Sequence, residues 1–64
     1  MKNKNKIKIE IEKYAEKVSS IDLFTKFDLF QNKYFENPNI NINLSENYSK
    51  LNIFYKSELI IIIK

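Results

Sequence analysis

The 64-residue chain contains no cysteine, histidine, glycine, tryptophan or arginine, and a single proline. Without Cys and His, neither a disulfide nor a Cys/His zinc cluster can brace it, and the commonest proton shuttle and thiol nucleophile are missing. Without Gly, a glycine loop that cradles phosphate cannot form. Without Arg, the chain has no planar fork to grip phosphate or a guanine edge at two points, which disfavours specific duplex-DNA readout. The carboxylates that remain do not pair locally. Asp22 and Asp28 stand about 120° apart on a helical wheel, and Glu10 and Glu12 share a strand face with Lys8 as a solvated charged surface. The inventory reads as non-enzymatic, with no cofactor and no metal.

Long hydrophobic runs are lacking as well. The longest, Leu59 to Ile63, has five residues, against the ~20 needed to cross a bilayer. Near the N-terminus Ile alternates with Lys and Glu, which is not the apolar stretch of a secretory signal. The expectation is a cytoplasmic protein without membrane contact.

What is abundant is Ile, Lys and Asn: eleven, eleven and nine residues. That bias is expected of a very AT-rich genome and fits a phage or mobile-element origin, so part of it reflects mutation pressure. The formal charge is +3, but Lys2, Lys4, Lys6 and Lys8 stand without an acid among the first eight residues, while residues 9–64 carry seven Lys against eight acids, a balance of −1. The basicity belongs to the N-terminal arm, of which residues 1–5 read as a flexible Lys/Asn-rich tail.

Size sets a further limit. A chain of this mass buries about 6,800 Å² on folding. If roughly 60% of that is apolar, burial contributes about 100 kcal/mol, close to the cost of ordering the chain at roughly 1.5 kcal/mol per residue. With crosslinks and metals excluded, association with a larger protein or with itself is the expected source of extra stability.

Along the chain, residues 6–12 alternate Ile7, Ile9 and Ile11 with charge, which favours a half-buried strand. A competing register runs through Ile7, Ile11, Tyr14 and Val18 at helical spacing; in it Ile9 alone faces water. Leu23, Phe24, Phe27, Phe30 and Tyr34 recur at helical spacing from Ile21 to Phe35 and predict an amphipathic helix. Its stripe is rotated about 180° from the preceding one, so the chain must break near Ser19 and Ser20. Ser19 with Asp22 three residues on resembles a capping box. Pro38 within Glu36-Asn37-Pro38-Asn39 ends the helix. Ile40, Ile42 and Leu44 alternating with Asn41 and Asn43 predict a strand, and Ser45–Lys50 a connection. From Leu51 to the end the chain reads either as one long strand or as two strands bent at Lys56-Ser57-Glu58; without Gly or Asn a tight two-residue turn there is disfavoured.

The expected fold is a single α+β domain: one aromatic-rich helix packed on a small, mostly antiparallel sheet of three to four strands, the first formed by residues 6–12. The alternative is a mostly α protein, a helical hairpin broken at Ser19-Ser20. The expected function is a protein-binding module: a small inhibitor, adaptor or regulatory subunit that occludes or joins a surface of a larger protein. Its candidate contacts are Phe24 and Phe35, at the edges of the helical stripe, and Leu59, Ile60, Ile61, Ile62 and Ile63. This apolar run carries no internal charge, sits between Glu58 and Lys64 as gatekeepers, and is expected either as a central strand buried on both faces or as a strand that pairs with its own copy or a partner's sheet. A second function is an RNA- or ribosome-docked subunit that contacts nucleic acid without sequence specificity through Lys2, Lys4, Lys6 and Lys8, with Phe54 and Lys56 as a thin stacking platform. A third is a purely structural oligomer-former.

Overall fold

The computed structural model describes residues 2–64, with side chains from Lys4 onward. Two helices, α1 (Lys2–Lys17) and α2 (Leu23–Tyr34), precede three strands, β1 (Ile40–Leu44), β2 (Leu51–Tyr55) and β3 (Glu58–Ile63). The strands form an antiparallel meander in the order β1-β2-β3. The arrangement is α+β, as expected, with the aromatic-rich α2 on one face of the sheet. One element of the expectation, the strand at residues 6–12, is replaced by a helix, and Met1 of the anticipated tail lies outside the described residues.

Residues 6–12 lie within α1, as do Lys2, Asn3, Lys4 and Asn5 of the anticipated tail. The helical register prevails because of what it buries. Ile11 and Val18 enter the core with Ile7, Tyr14 and Ala15 packed beside them, whereas the strand register would bury three Ile residues only. Ile9 is left 53% exposed, as the helical register requires. Lys and Glu, which fill the remaining positions, favour helix intrinsically.

The break between the helices falls where the two stripes demand it. The Val18 amide donates to the Tyr14 carbonyl at 3.1 Å, and the Ile21 amide to the Val18 carbonyl at 3.0 Å. The cap lies three residues later than the Ser19 box. Asp22 is the N-cap of α2, accepting from the Thr25 amide at 3.0 Å and from the Thr25 hydroxyl at 2.9 Å. These bonds hold the Asp22 carboxyl below its ordinary value, because they favour the ionised form. With Ser19 and Ser20 spent on the turn, Asp22 is the residue that meets the free amides at the start of the helix.

α2 runs to Tyr34. The Asn37 amide then donates to the Tyr34 carbonyl, the Asn37 side chain accepts from the Asn39 amide at 3.0 Å, and Pro38 starts the turn into β1. In β1 the core side chain is Ile42, flanked by the half-buried Ile40 and Leu44, while Asn41 and Asn43 face outward. In β2 Leu51, Ile53 and Tyr55 are buried. Between β1 and β2 the Ser45 hydroxyl accepts from the amides of Ser49 and Lys50, both at 3.1 Å, and closes the loop.

β2 and β3 are joined by the tight turn that the composition disfavours. Lys56 and Ser57 both take left-handed backbone geometry, with φ of 51° and 70°. Two positive φ values match the right-handed twist of a hairpin, and here residues with a Cβ adopt them. The long-strand reading is excluded. Nor is β3 a central strand buried on both faces: among the described residues it is an edge, paired with β2 alone.

α1 lies against β3 and α2 against β1, on the same face of the sheet. The core between them holds Ile11, Phe30, Leu51 and Ile53, all fully buried. Phe30 meets Tyr14 edge-on at 5.0 Å and lies nearly parallel to Tyr34 at 6.3 Å, so aromatic contacts weld the two helices together.

Candidate interaction surface

Because both helices pack one face of the sheet, no layer of the described residues lies over the other face. Its composition follows from strand register. One cross-strand row runs Asn41–Phe54–Leu59 and the next Asn43–Asn52–Ile62. The β1 side is therefore amide, with Asn52 donating to Asn43 at 3.5 Å, and the β3 side is hydrocarbon. Leu59 is 44% and Ile62 48% exposed, and Phe54 is half-buried between them and Asn41.

The anticipated contact residues separate into two groups. Leu59 and Ile62 belong to this outer surface, while Ile61 and Ile63 pair with the core residues Ile53 and Leu51 and are half-buried against the core. Ile60 is the extra residue of a bulge, where the register shifts between Ile53 and Phe54. Phe24 and Phe35 are indeed exposed, at 58% and 76%, but they stand near opposite ends of α2, about 16 Å of helical rise apart. Phe24 leans on Tyr48 at 5.4 Å. Phe35 lines a groove with Gln31, Ile40 and Ile42 at the β1 edge. Neither joins the β3 surface.

The basic residues are only partly brought together. The Lys4 ammonium pairs with the Glu58 carboxylate, which brings the first turns of α1 to the β2–β3 turn, where Lys56 sits. Lys6 and Lys8 are exposed, and the Lys2 side chain lies outside the described residues. Lys56 sits 5.7 Å from the Tyr55 ring. Phe54 is on the outer face of the sheet, away from the helical arm, so the stacking platform and the basic arm do not share a surface.

Two contributors escaped the sequence reading. Ile9, stranded by the helical register, lines a groove with Ala15, Ile63 and Lys64 beside β3. Lys26 is only 6% exposed and borders the same groove, its stem covered by apolar neighbours as long basic side chains allow. The helical register through Ile7 leaves Ile9 facing water but does not mark it as a contact, and nothing in the sequence marks Lys26.

Among the described residues no three acidic, His or Cys side chains converge to hold a metal ion, and no helix is long and apolar enough to cross a membrane. Comparison with models of known protein families, with curated proteins and with solved structures finds no match to this chain.

Proposed function

We propose that the protein is a non-enzymatic protein-binding module, a small inhibitor, adaptor or regulatory subunit that covers part of a larger protein with the outer face of its sheet. The observation that carries this reading is the apolar group Phe54, Leu59 and Ile62, left uncovered by a fold that places both helices on the opposite side. Isolated exposed apolar residues are ordinary, whereas cross-strand neighbours rimmed by polar groups mark interaction sites. Here Asn41, Asn43 and Asn52 provide that rim. The partner surface that fits is apolar at its centre and offers amide or hydroxyl groups toward β1.

The test compares the wild-type chain with Leu59→Lys and Ile62→Lys as bait for host proteins. Both positions are exposed, so the variants should keep the wild-type circular dichroism spectrum. The expected result is a stoichiometric partner that also binds when purified and is lost with either variant. A partner retained equally by folded variants overturns the assignment of this face.

A further inference from the structure

We propose that Lys26 anchors an acidic side chain of a partner protein, which enters the groove between α1 and the end of β3 with an apolar neighbour beside it. The inference rests on the protein-binding reading above but not on the outer sheet face, since this groove lies on the helical side.

The starting point is a charge in a core position. The buried residues of α2 are Lys26, Phe30 and Tyr34, spaced four apart, so Lys26 shares an inward stripe with two aromatic residues of the core. It is 6% exposed. Lysine is almost never buried to that degree unless paired, yet no ion pair or side-chain hydrogen bond among the described residues involves its ammonium. Nor is the ammonium sealed from solvent, since no fully enclosed side-chain nitrogen lacks a partner among the described residues. The stem is covered and the charged tip opens at the surface, in a groove that Lys26 lines together with residues of α1 and β3. An aliphatic residue would fill the stripe without a partly desolvated charge. The position thus holds an unpaired cation where hydrocarbon would pack.

The groove selects among anions. At its rim Glu12 and Glu16 offset Lys13 and Lys64, all four exposed, so the lining carries one net positive charge, that of Lys26. A single carboxylate matches it. A phosphate dianion, or the successive phosphates of a nucleic acid, would bring further negative charge against the two glutamates. Beside the charge stand Ile9, 53% exposed, with Ala15 and Ile63. These walls suit an apolar side chain next to the acidic one, which a protein surface supplies and a free inorganic anion does not. Ser19 adds a hydroxyl to the same groove, a donor for the carboxylate.

The test is an NMR titration of the full chain that follows the side-chain signals of Lys26 and Ile9. The probe is the blocked dipeptide N-acetyl-aspartyl-leucine amide, compared with its asparaginyl counterpart, with acetate and with inorganic phosphate. The expected result is a saturable shift of both signals, with the aspartyl peptide binding at least about tenfold more tightly than any of the three controls. Lys26→Met should lose that advantage, and its urea midpoint should match or exceed that of the wild type, because Met fills the stripe without a charge. Ile9→Ala should weaken the aspartyl peptide and leave acetate unchanged. Equal binding of the aspartyl and asparaginyl peptides overturns the proposal, as does acetate or phosphate that binds as tightly as the aspartyl peptide. A Lys26→Met chain with a lowered midpoint, or one that does not fold, also overturns it, since the ammonium would then have a structural role within the chain. A peptide that binds as expected, while capture ignores Leu59 and Ile62, sinks only the outer face. Capture that depends on those two residues, with no preference for the aspartyl peptide, sinks only the groove.

Discussion

The hydroxyl of Tyr34 donates to the Glu10 carboxylate at 3.1 Å, tying the last turn of α2 to the middle of α1 across 24 positions of sequence. The ring is buried against Phe30 while its oxygen reaches the rim of the core. Burial, followed by the hydrogen bond and negative charge of Glu10, pushes the phenol above its ordinary value. The bond also sets the azimuth of both helices, since Glu10 and Ile11 are adjacent and point to the rim and the core respectively.

Replacing Tyr34 with Phe keeps the packing and removes that bond. The expected loss is on the order of 1 kcal/mol, because Glu10 is exposed and the bond is partly screened. The pH dependence has a definite sign. A phenol whose folded value lies above its ordinary 10.0 contributes stability fully below pH 10, and that contribution is lost as pH rises past it. Denaturant titrations at neutral pH and on the alkaline side should show the wild type falling toward Tyr34→Phe; a gap that persists undiminished into strong alkali would contradict the assignment.

Ile9 and Ile11 discriminate between the two registers of the first segment. Ile11 is fully buried and Ile9 is 53% exposed. Ile11→Ala should cost about 2–5 kcal/mol, and Ile9→Ala should stay within about 0.5 kcal/mol, as read from urea midpoints. Equal costs would indicate the strand instead.

Asp22 caps α2 through Thr25, and its carboxyl lies below the ordinary 3.8. Stability from such a group is present above that pH and is lost as pH falls through the folded value. Asp22→Ala should therefore lower the thermal midpoint at neutral pH, and the difference from wild type should close in acid. A difference that ignores pH would show that the charge on the cap contributes nothing.

The Lys56-Ser57 turn places two residues with side chains in a conformation that favours Asn and Gly. Exchanging the pair for Asn-Gly should stabilise the chain by about 1–2 kcal/mol, since each left-handed residue other than glycine carries a cost of that order. Measured unfolding free energies that stay level or drop would show that the native pair is not strained.

Much of the fold is legible because it rests on local periodicity. The stripe of Phe27, Phe30 and Tyr34 requires a helix, Pro38 requires its end, and the alternation of Ile40, Ile42 and Leu44 with Asn requires a strand with one wet face. The opposition of two stripes also required a break near Ser19. The residues around Ile9 were ambiguous because alternation over three Ile satisfies either period. What settled them was long-range: Tyr14 and Val18 have partners on α2 and in the core, and only a helix delivers both.

The candidate surface was legible in part. The run Leu59–Ile63 stands out by composition, as do its gatekeepers, but whether such a strand is central or peripheral depends on which neighbours it finds, and that is no property of its own sequence. The turn at Lys56 and Ser57 is the decisive case, since local preference opposed it while burial of Ile53 against Ile61 and Leu51 against Ile63 required it. Sequence by itself determined the elements from Leu23 onward, apart from that turn, and the polarity of the faces of α2, β1 and β2, because side-chain spacing fixes which way each residue points, whereas in β3 the bulge at Ile60 reassigns the faces. Tertiary structure alone decided that α1 is a helix, that β3 lies at the rim, and that Ile9, Leu59 and Ile62 stay uncovered, because those outcomes depend on packing between segments far apart in the chain.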